Sequence, residues 1–342
     1  MCGAAIKSNE MSNIQRQSNI ELLRIVSIFF VLIGHAFGVV LGMPEANDIE
    51  VSPSTSFLRI LLGAAALGGV NIFVLISGWF GIHSNKRGVA KLIYQVAFLL
   101  WGIYAVALLL DKTDLSLPGL KVSLGIYDGY WFVMAYLGMY LLSPVLNAFA
   151  ESASKRQFKI LLIGFYIFQC YYCWIMGMVN YFNGYSITFF CGLYLTARYV
   201  RLYPIQVLER RAWIIYSIIT LFIAVGATIG IRLVGSPLKL LRYDNPLEIV
   251  ACVCFLLGFL KIKIQSKSIN TLARSCFAVY IIHFNPFVFP YFRMGVEWIA
   301  GEFYSAFFIL FMFAFLAIVY MICSLIDAVR ALSWMLFSSK LK

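Results

Sequence analysis

Apolar runs of about twenty residues, separated by short polar stretches, recur along the whole chain. A helix rises about 1.5 Å per residue, so such a run crosses a hydrocarbon core of about 30 Å. The pattern predicts ten spans, at 19–41, 57–81, 89–110, 130–149, 158–178, 185–200, 212–234, 246–264, 272–292 and 303–326. The shortest is 185–200, and the stretch Asn180–Gly184 before it is compatible with a re-entrant turn. The expected fold is all-α, a polytopic membrane helix bundle. One membrane domain over 19–335 lies between short polar tails at 1–18 and 336–342.

Composition agrees with the pattern. With 62% hydrophobic residues, 12% charged and a mean hydropathy of +0.87, the chain has too little charge to coat a soluble protein of 342 residues. The net charge of +12 does not point to nucleic acid, because the cations gather in alternate short loops. With both ends placed in the cytoplasm, 20 of the 27 cations fall inside and ten of the fifteen acids outside, as the positive-inside rule requires. The loop Arg232–Asp244 breaks this trend, which suits either an anionic acceptor or local pairing. The first run is too long for a signal-peptide core and has no small-residue cleavage site, so it is expected to stay in the membrane.

Charge inside that first run changes the picture. NIELLRIVSIFFVLIGHAFGVVLG, Asn19–Gly42, carries Glu21, Arg24 and His35, and ionisable groups at membrane depth are costly. Arg24 and His35 are eleven residues apart, close to three turns, so they share a face about 16 Å apart. Glu21 falls beside Arg24 as a local ion pair. Gly34, Gly38 and Gly42 predict close approach of a neighbouring helix. His35 lies about 24 Å from the cytoplasmic start, past the midplane. There it is either a proton acceptor or an interhelical hydrogen-bonding residue. Arg24 either faces the phosphates or carbonyls of a cytosolic donor or snorkels to headgroups.

Further polar residues follow along the chain. Asn71 lies mid-membrane in the second span, and Ser77-Gly78 lies one turn from its cytoplasmic end; both are candidate neutral donors to substrate. His83, Lys86, Arg87 and Lys91 then form either a phosphate-binding mouth or a simple topology signal. Tyr130 and Trp131 fit an aromatic belt, with a sugar platform at Trp131 as the other reading. Ser143-Pro144 predicts a disrupted helix whose carbonyls are satisfied again nearby. His283 lies near mid-depth in the ninth span, as a second polar group of a chamber or a structural hydrogen bond, and Asn285-Pro286 should bend or end that helix. Cys170 and Cys173 form a CxxC without a second pair or nearby histidine, so no metal site is expected. No G-x-S-x-G elbow, phosphate loop, dinucleotide fingerprint or H-E-x-x-H is present.

Four ordered motifs carry a resemblance. IELLRIVSIFFVLIGH resembles the first-helix motif of the integral-membrane acyltransferase family 3, with an acid, then arginine, ten residues and histidine. VNIFVLISGWF, YWFVMAYLGMYLLSPVLN and FAVYIIH are similar to its second-span, fourth-span and late-histidine motifs. The resemblance implies a ten-span enzyme moving an acetyl group from cytosolic acetyl-CoA to a hydroxyl of a cell-surface polysaccharide or its lipid-linked precursor. It implies His35 as general base, Arg24 in donor binding, and Lys86, Arg87 and Lys91 near the CoA phosphates. It also implies a bacterial inner-membrane protein with no tightly bound cofactor. Here Glu21 replaces the usual aspartate, and Trp79 the usual tyrosine or phenylalanine of the SGY/F motif. The rival class is a glycan or acyl-group carrier or flippase, against which stands the absence of an inverted repeat. An O-succinyltransferase is the alternative within the enzyme class.

Overall fold

The first apolar run folds as helix α1, Ser18–Ile33, and continues as a π-helical segment, Gly34–Val40. A computed structural model of the protein describes residues 16–83, 86–177, 184–302 and 306–339. The stretch 180–183, part of the expected re-entrant turn, lies outside the described residues, as does most of the N-terminal tail. The described regular structure is entirely helical.

After a short helix at Ala46–Val51, the second span forms as α2, Pro53–Ala66, and α3, Gly69–Phe80. Then come α4, Lys86–Leu109, and the short α5, Leu117–Ser123. The fourth span is α6, Trp131–Ser152, and the fifth is α7, Lys155–Phe168, with a π-helical continuation at Gln169–Ile175. They are followed by α8, Ile187–Leu202, α9, Ala212–Val234, and α10, Pro246–Leu260. The chain closes with α11, Lys267–Leu272, α12, Cys276–His283, α13, Phe289–Glu302, and α14, Ala306–Ser339. Among the described residues, seven helical segments are long and apolar enough to cross a membrane. The expected spans 185–200 and 246–264 are the shorter α8 and α10, and the expected span 272–292 is divided between α12 and α13. The molecule is an all-α polytopic membrane bundle.

Local chemistry explains the element ends. Ser154 and Gln157 close a capping box that starts α7. Asn245 caps α10, and Pro246 occupies its first turn, where a missing N–H costs nothing. Pro144 lies inside α6, which stays helical. Proline cannot donate to the carbonyl four residues back, and Ser143 Oγ takes that Tyr140 carbonyl at 2.7 Å.

Three differences from the expected spans matter. The second span breaks at Leu67-Gly68, where a Cβ on Gly68 would lie 2.6 Å from Cys252 Sγ and 2.8 Å from Glu248 Oε1. The ninth span stops at His283, and its continuation is a separate helix, α13. The last helix runs past 326 to Ser339, because the charges near its end are paired and buried. Asp327 receives Arg330 Nε at 2.8 Å, Ser275 Oγ at 2.9 Å and Gln95 Nε2 at 3.3 Å. Windowed hydropathy reads those charges as an exit to water, whereas the fold neutralises them in place.

The small-residue stripe of the first span also differs. Nothing lies within 4 Å of a Cβ built on Gly34 or Gly42, and only the Met43 side chain comes near Gly38. The π turn shifts the register after Ile33, so the four-residue spacing no longer marks one face. Close helix approach occurs instead at Gly69, where a Cβ would lie 2.7 Å from the Ser27 carbonyl oxygen, and at Gly78, where a Cβ would meet that of Tyr194. α3 is thereby clamped between α1 and α8 at the centre of the bundle. The described start of the chain is tied to α11 and the residue before it, with Arg16 Nη1 donating to Asn270 O at 3.2 Å and Ser266 N donating to Ser18 Oγ at 2.9 Å.

Candidate functional site

His35 is the second residue of the π-helical segment, and such segments are frequent at functional sites. Its Nδ1 lies 2.7 Å from His283 Nε2. On the far side of that ring, His283 Nδ1 lies 2.6 Å from the Val279 carbonyl oxygen. A carbonyl oxygen only accepts, so His283 Nδ1 carries a hydrogen. A neutral His283 then offers a lone pair at Nε2, and His35 donates Nδ1–H to it. His35 Nε2 is left holding a lone pair. The chain Val279 O, His283, His35 thus fixes the tautomer of both rings.

Packing holds this pair in place. His283 is 1% exposed, and the Phe284 ring stacks on His35 at 4.1 Å. Asn285, just beyond the end of α12, accepts from Phe287 N at 2.9 Å and donates to Tyr130 Oη at 2.8 Å. Tyr280 Oη donates to Gly129 O at 2.8 Å. The start of α6 is therefore tied to the segment that presents His283. Tyr130 is 1% exposed and serves this junction, so it does not lie in an interfacial belt. Its partner Asn285 is 155 residues away, beyond the reach of any local pattern.

About three turns toward the cation-rich face, Arg24 Nη1 meets Glu21 Oε1 at 3.3 Å, and Arg16 Nη1 reaches the same oxygen at 3.6 Å. Glu21 is buried, while the Arg24 side chain is 37% exposed. Arg24 lies within electrostatic reach of Tyr136, whose hydroxyl is 3.0 Å from Ser77 Oγ. Ser77 spends its own hydrogen on Phe73 O at 3.0 Å. Lys86 and Arg87 are exposed at the start of α4. Lys91, also exposed, lies within electrostatic reach of Arg16, Arg274 and Arg330. Cations from three other segments thus surround Lys91, whereas the sequence pattern had marked only the cations Lys86, Arg87 and Lys91 for a phosphate-binding mouth.

The Glu21–Arg24 pair and His35 thus lie about three turns apart on the first span, His35 paired with His283 of α12. Residues 17–326 match the acyltransferase family 3 model, described as an acyltransferase domain. The chain belongs to this family. It is a multi-pass membrane acyltransferase, an enzyme, and the carrier reading falls away. No curated protein and no solved structure matches it.

The remaining expected residues of the acyltransferase lie elsewhere. Asn71 is fully buried and donates to Tyr243 O at 2.9 Å, while its Oδ1 has no partner among the described residues. Trp131 is half-buried and stacks on Tyr185 at 4.2 Å, with the Tyr243 ring at 6.1 Å. Asn71 and Trp131 therefore meet through Tyr243. In the loop before α10, Arg242 bonds Asp244 at 2.6 Å and Cys173 O at 2.8 Å, and Lys239 Nζ bonds Ile175 O at 2.6 Å. Arg242 is thus locally paired with Asp244, and Lys239 is held by a carbonyl of the fifth span's π-helical end. Glu248, a buried acid in the first turn of α10, accepts from Cys252 Sγ at 3.1 Å.

Proposed function

We propose that this acyltransferase moves an acetyl group from cytosolic acetyl-CoA to a hydroxyl of a cell-surface polysaccharide or its lipid-linked precursor. The supporting observation is the hydrogen-bond chain Val279 O, His283, His35, which leaves the outer nitrogen of His35 free to accept a proton. In this reading the donor enters at the cation-rich mouth. Its phosphates meet Lys91, Arg274 and the exposed Lys86 and Arg87, and Arg24, steadied by Glu21, orients the arm that carries the thioester.

At the His35 end of the first span the acceptor hydroxyl gives its proton to His35 Nε2. Its oxygen bonds to the thioester carbonyl carbon, and the carbonyl π electrons move to oxygen. When the tetrahedral adduct collapses, the C–S bond breaks and the thiolate takes the proton back from His35. The products are an ester and free CoA thiol, with no net proton change. His283 stabilises the intermediate imidazolium by accepting from its Nδ1–H, the role an acid plays in a serine-type triad. Oriented neutral imidazole is the form that works as a base near neutral pH.

The test is to supply membranes containing the protein with acetyl-CoA or succinyl-CoA labelled in the acyl group. Alkali-labile label on glycan from the acetyl donor is the expected result. Absence of any ester, or preference for succinyl-CoA, contradicts the assignment.

A further inference from the structure

His283 is the last residue of α12, and the end of a helix is where its backbone order is weakest. Its Nε2 nevertheless has to stay 2.7 Å from His35 Nδ1 for the pair to work. The backbone ladder gives little help. Phe284 N donates to Tyr280 O at 3.4 Å and Asn285 N to Ile282 O at 3.2 Å, so Ile281 O is passed over. Residue 286 is proline and has no N–H to offer it.

One side-chain atom closes that gap. Tyr130 Oη donates to Ile281 O at 3.4 Å and accepts from Asn285 Nδ2 at 2.8 Å. It therefore grips the chain two residues before His283 and two residues after it. Among the described residues no other donor reaches Ile281 O. A hydroxyl can make both bonds at once, with one hydrogen to give and lone pairs to receive. Tyr130 is itself fixed: its N–H donates to Tyr127 O at 2.9 Å, and Tyr280 Oη returns a bond to the preceding Gly129 O at 2.8 Å. Beyond the clasp, Asn285 O accepts Val288 N at 2.8 Å and Phe289 N at 2.7 Å, which carries the grip into the start of α13. Tyr130, His283 and Asn285 are each 1% exposed, so bulk water does not compete for these bonds.

We propose that Tyr130 is a positioning residue for acyl transfer, its hydroxyl and Asn285 together holding the turn of His283 so that the imidazole keeps its bond to His35. This rests on the acyl-transfer reading above and adds a residue that acts on the base only through His283. The ring belongs to the packing, and the hydroxyl carries the function. Removing the hydroxyl leaves Asn285 Nδ2 and Ile281 O buried without partners and frees the turn. The His283 ring can then drift from Val279 O and from His35. Misplacing a reacting group by about 1 Å costs about a hundredfold in rate, so the drift is expected to cost about tenfold to a hundredfold.

The chain has three histidines, His35, His83 and His283, so ring-nitrogen NMR of isotope-labelled, detergent-purified protein has few signals to assign. In the wild type His283 carries its hydrogen on Nδ1 and accepts at Nε2 from His35. In Tyr130→Phe and in Asn285→Ala, His283 samples both tautomers and its bond to His35 is lost. In membranes both variants lower kcat by about tenfold to a hundredfold with KM for acetyl-CoA unchanged. Tyr130→Phe costs nothing further once His283 is alanine, because the hydroxyl acts through that ring. Tyr127→Phe, which deletes a hydroxyl from the ring packed edge-on against Tyr130 at 5.5 Å, changes neither spectrum nor rate. The spectrum needs no turnover, so it tests the clasp separately from the acyl-transfer reading. A wild-type spectrum in Tyr130→Phe, or an equal further loss of kcat in the His283→Ala background, overturns the proposal.

Discussion

His35 Nδ1 and His283 Nε2 lie 2.7 Å apart, although 248 residues separate them in the chain. The contact joins the two imidazoles into one hydrogen-bonded pair, which acts as a unit in the proposed mechanism. His35→Ala is expected to lower acyl transfer by about 10²–10⁴-fold, the usual cost of losing a general base. His283→Ala lowers kcat with little change in KM for the acyl donor. The double variant is no slower than His35→Ala alone, because groups that act as a unit are not additive. Steady-state rates of the three variants in membranes check this.

Two glycines separate tight packing from open space. Gly78→Val drives a side chain into the Tyr194 backbone, which a Cβ alone already meets, and is expected to cost about 1–3 kcal/mol through overpacking. Gly34→Ala adds a methyl where nothing lies within 4 Å and leaves stability unchanged or raised. Thermal unfolding of the purified variants in detergent distinguishes the two outcomes.

Under the proposed function Lys91 and Arg274 bind the donor, whereas the buried Asp327–Arg330 pair is structural. Arg274→Ala and Lys91→Ala are expected to raise KM for the acyl-CoA by about threefold to tenfold, with kcat nearly constant. Added salt should shrink that difference, since these contacts face water. Asp327→Asn acts differently. It weakens the bonds of a buried Arg330, for which breaking a buried ion pair costs about 3–5 kcal/mol. Its signature is loss of folded protein from the membrane, read by protease resistance, with normal KM in what survives.

Apolar run length made the spans legible, because a helix in lipid has to satisfy its backbone internally and needs a fixed length to cross. Local spacing likewise made Glu21 and Arg24 readable as a pair, three residues apart on one helix. The π turn at His35 was not legible: a one-residue register shift leaves no mark in a hydropathy pattern, and around it neither Gly34 nor Gly42 has a neighbour within 4 Å of a Cβ. Nor was the union of His35 with His283, or of Tyr130 with Asn285, since tertiary contacts over such separations have no periodic signal. Charges near the end of the last helix misled for a related reason. A windowed scale scores Asp327 and Arg330 as exposed to water, and only the fold shows Gln95 and Ser275 completing their hydrogen bonds.

The central claim is that His35 receives the acceptor proton during acetyl transfer. The most direct measurement compares O-acetyl methyl signals in the NMR spectrum of surface polysaccharide from cells lacking the gene, complemented with wild type or with His35→Ala at equal membrane abundance. Restored ester signal with the wild type and none above background with His35→Ala is the predicted result. Wild-type acetylation with His35→Ala would contradict it.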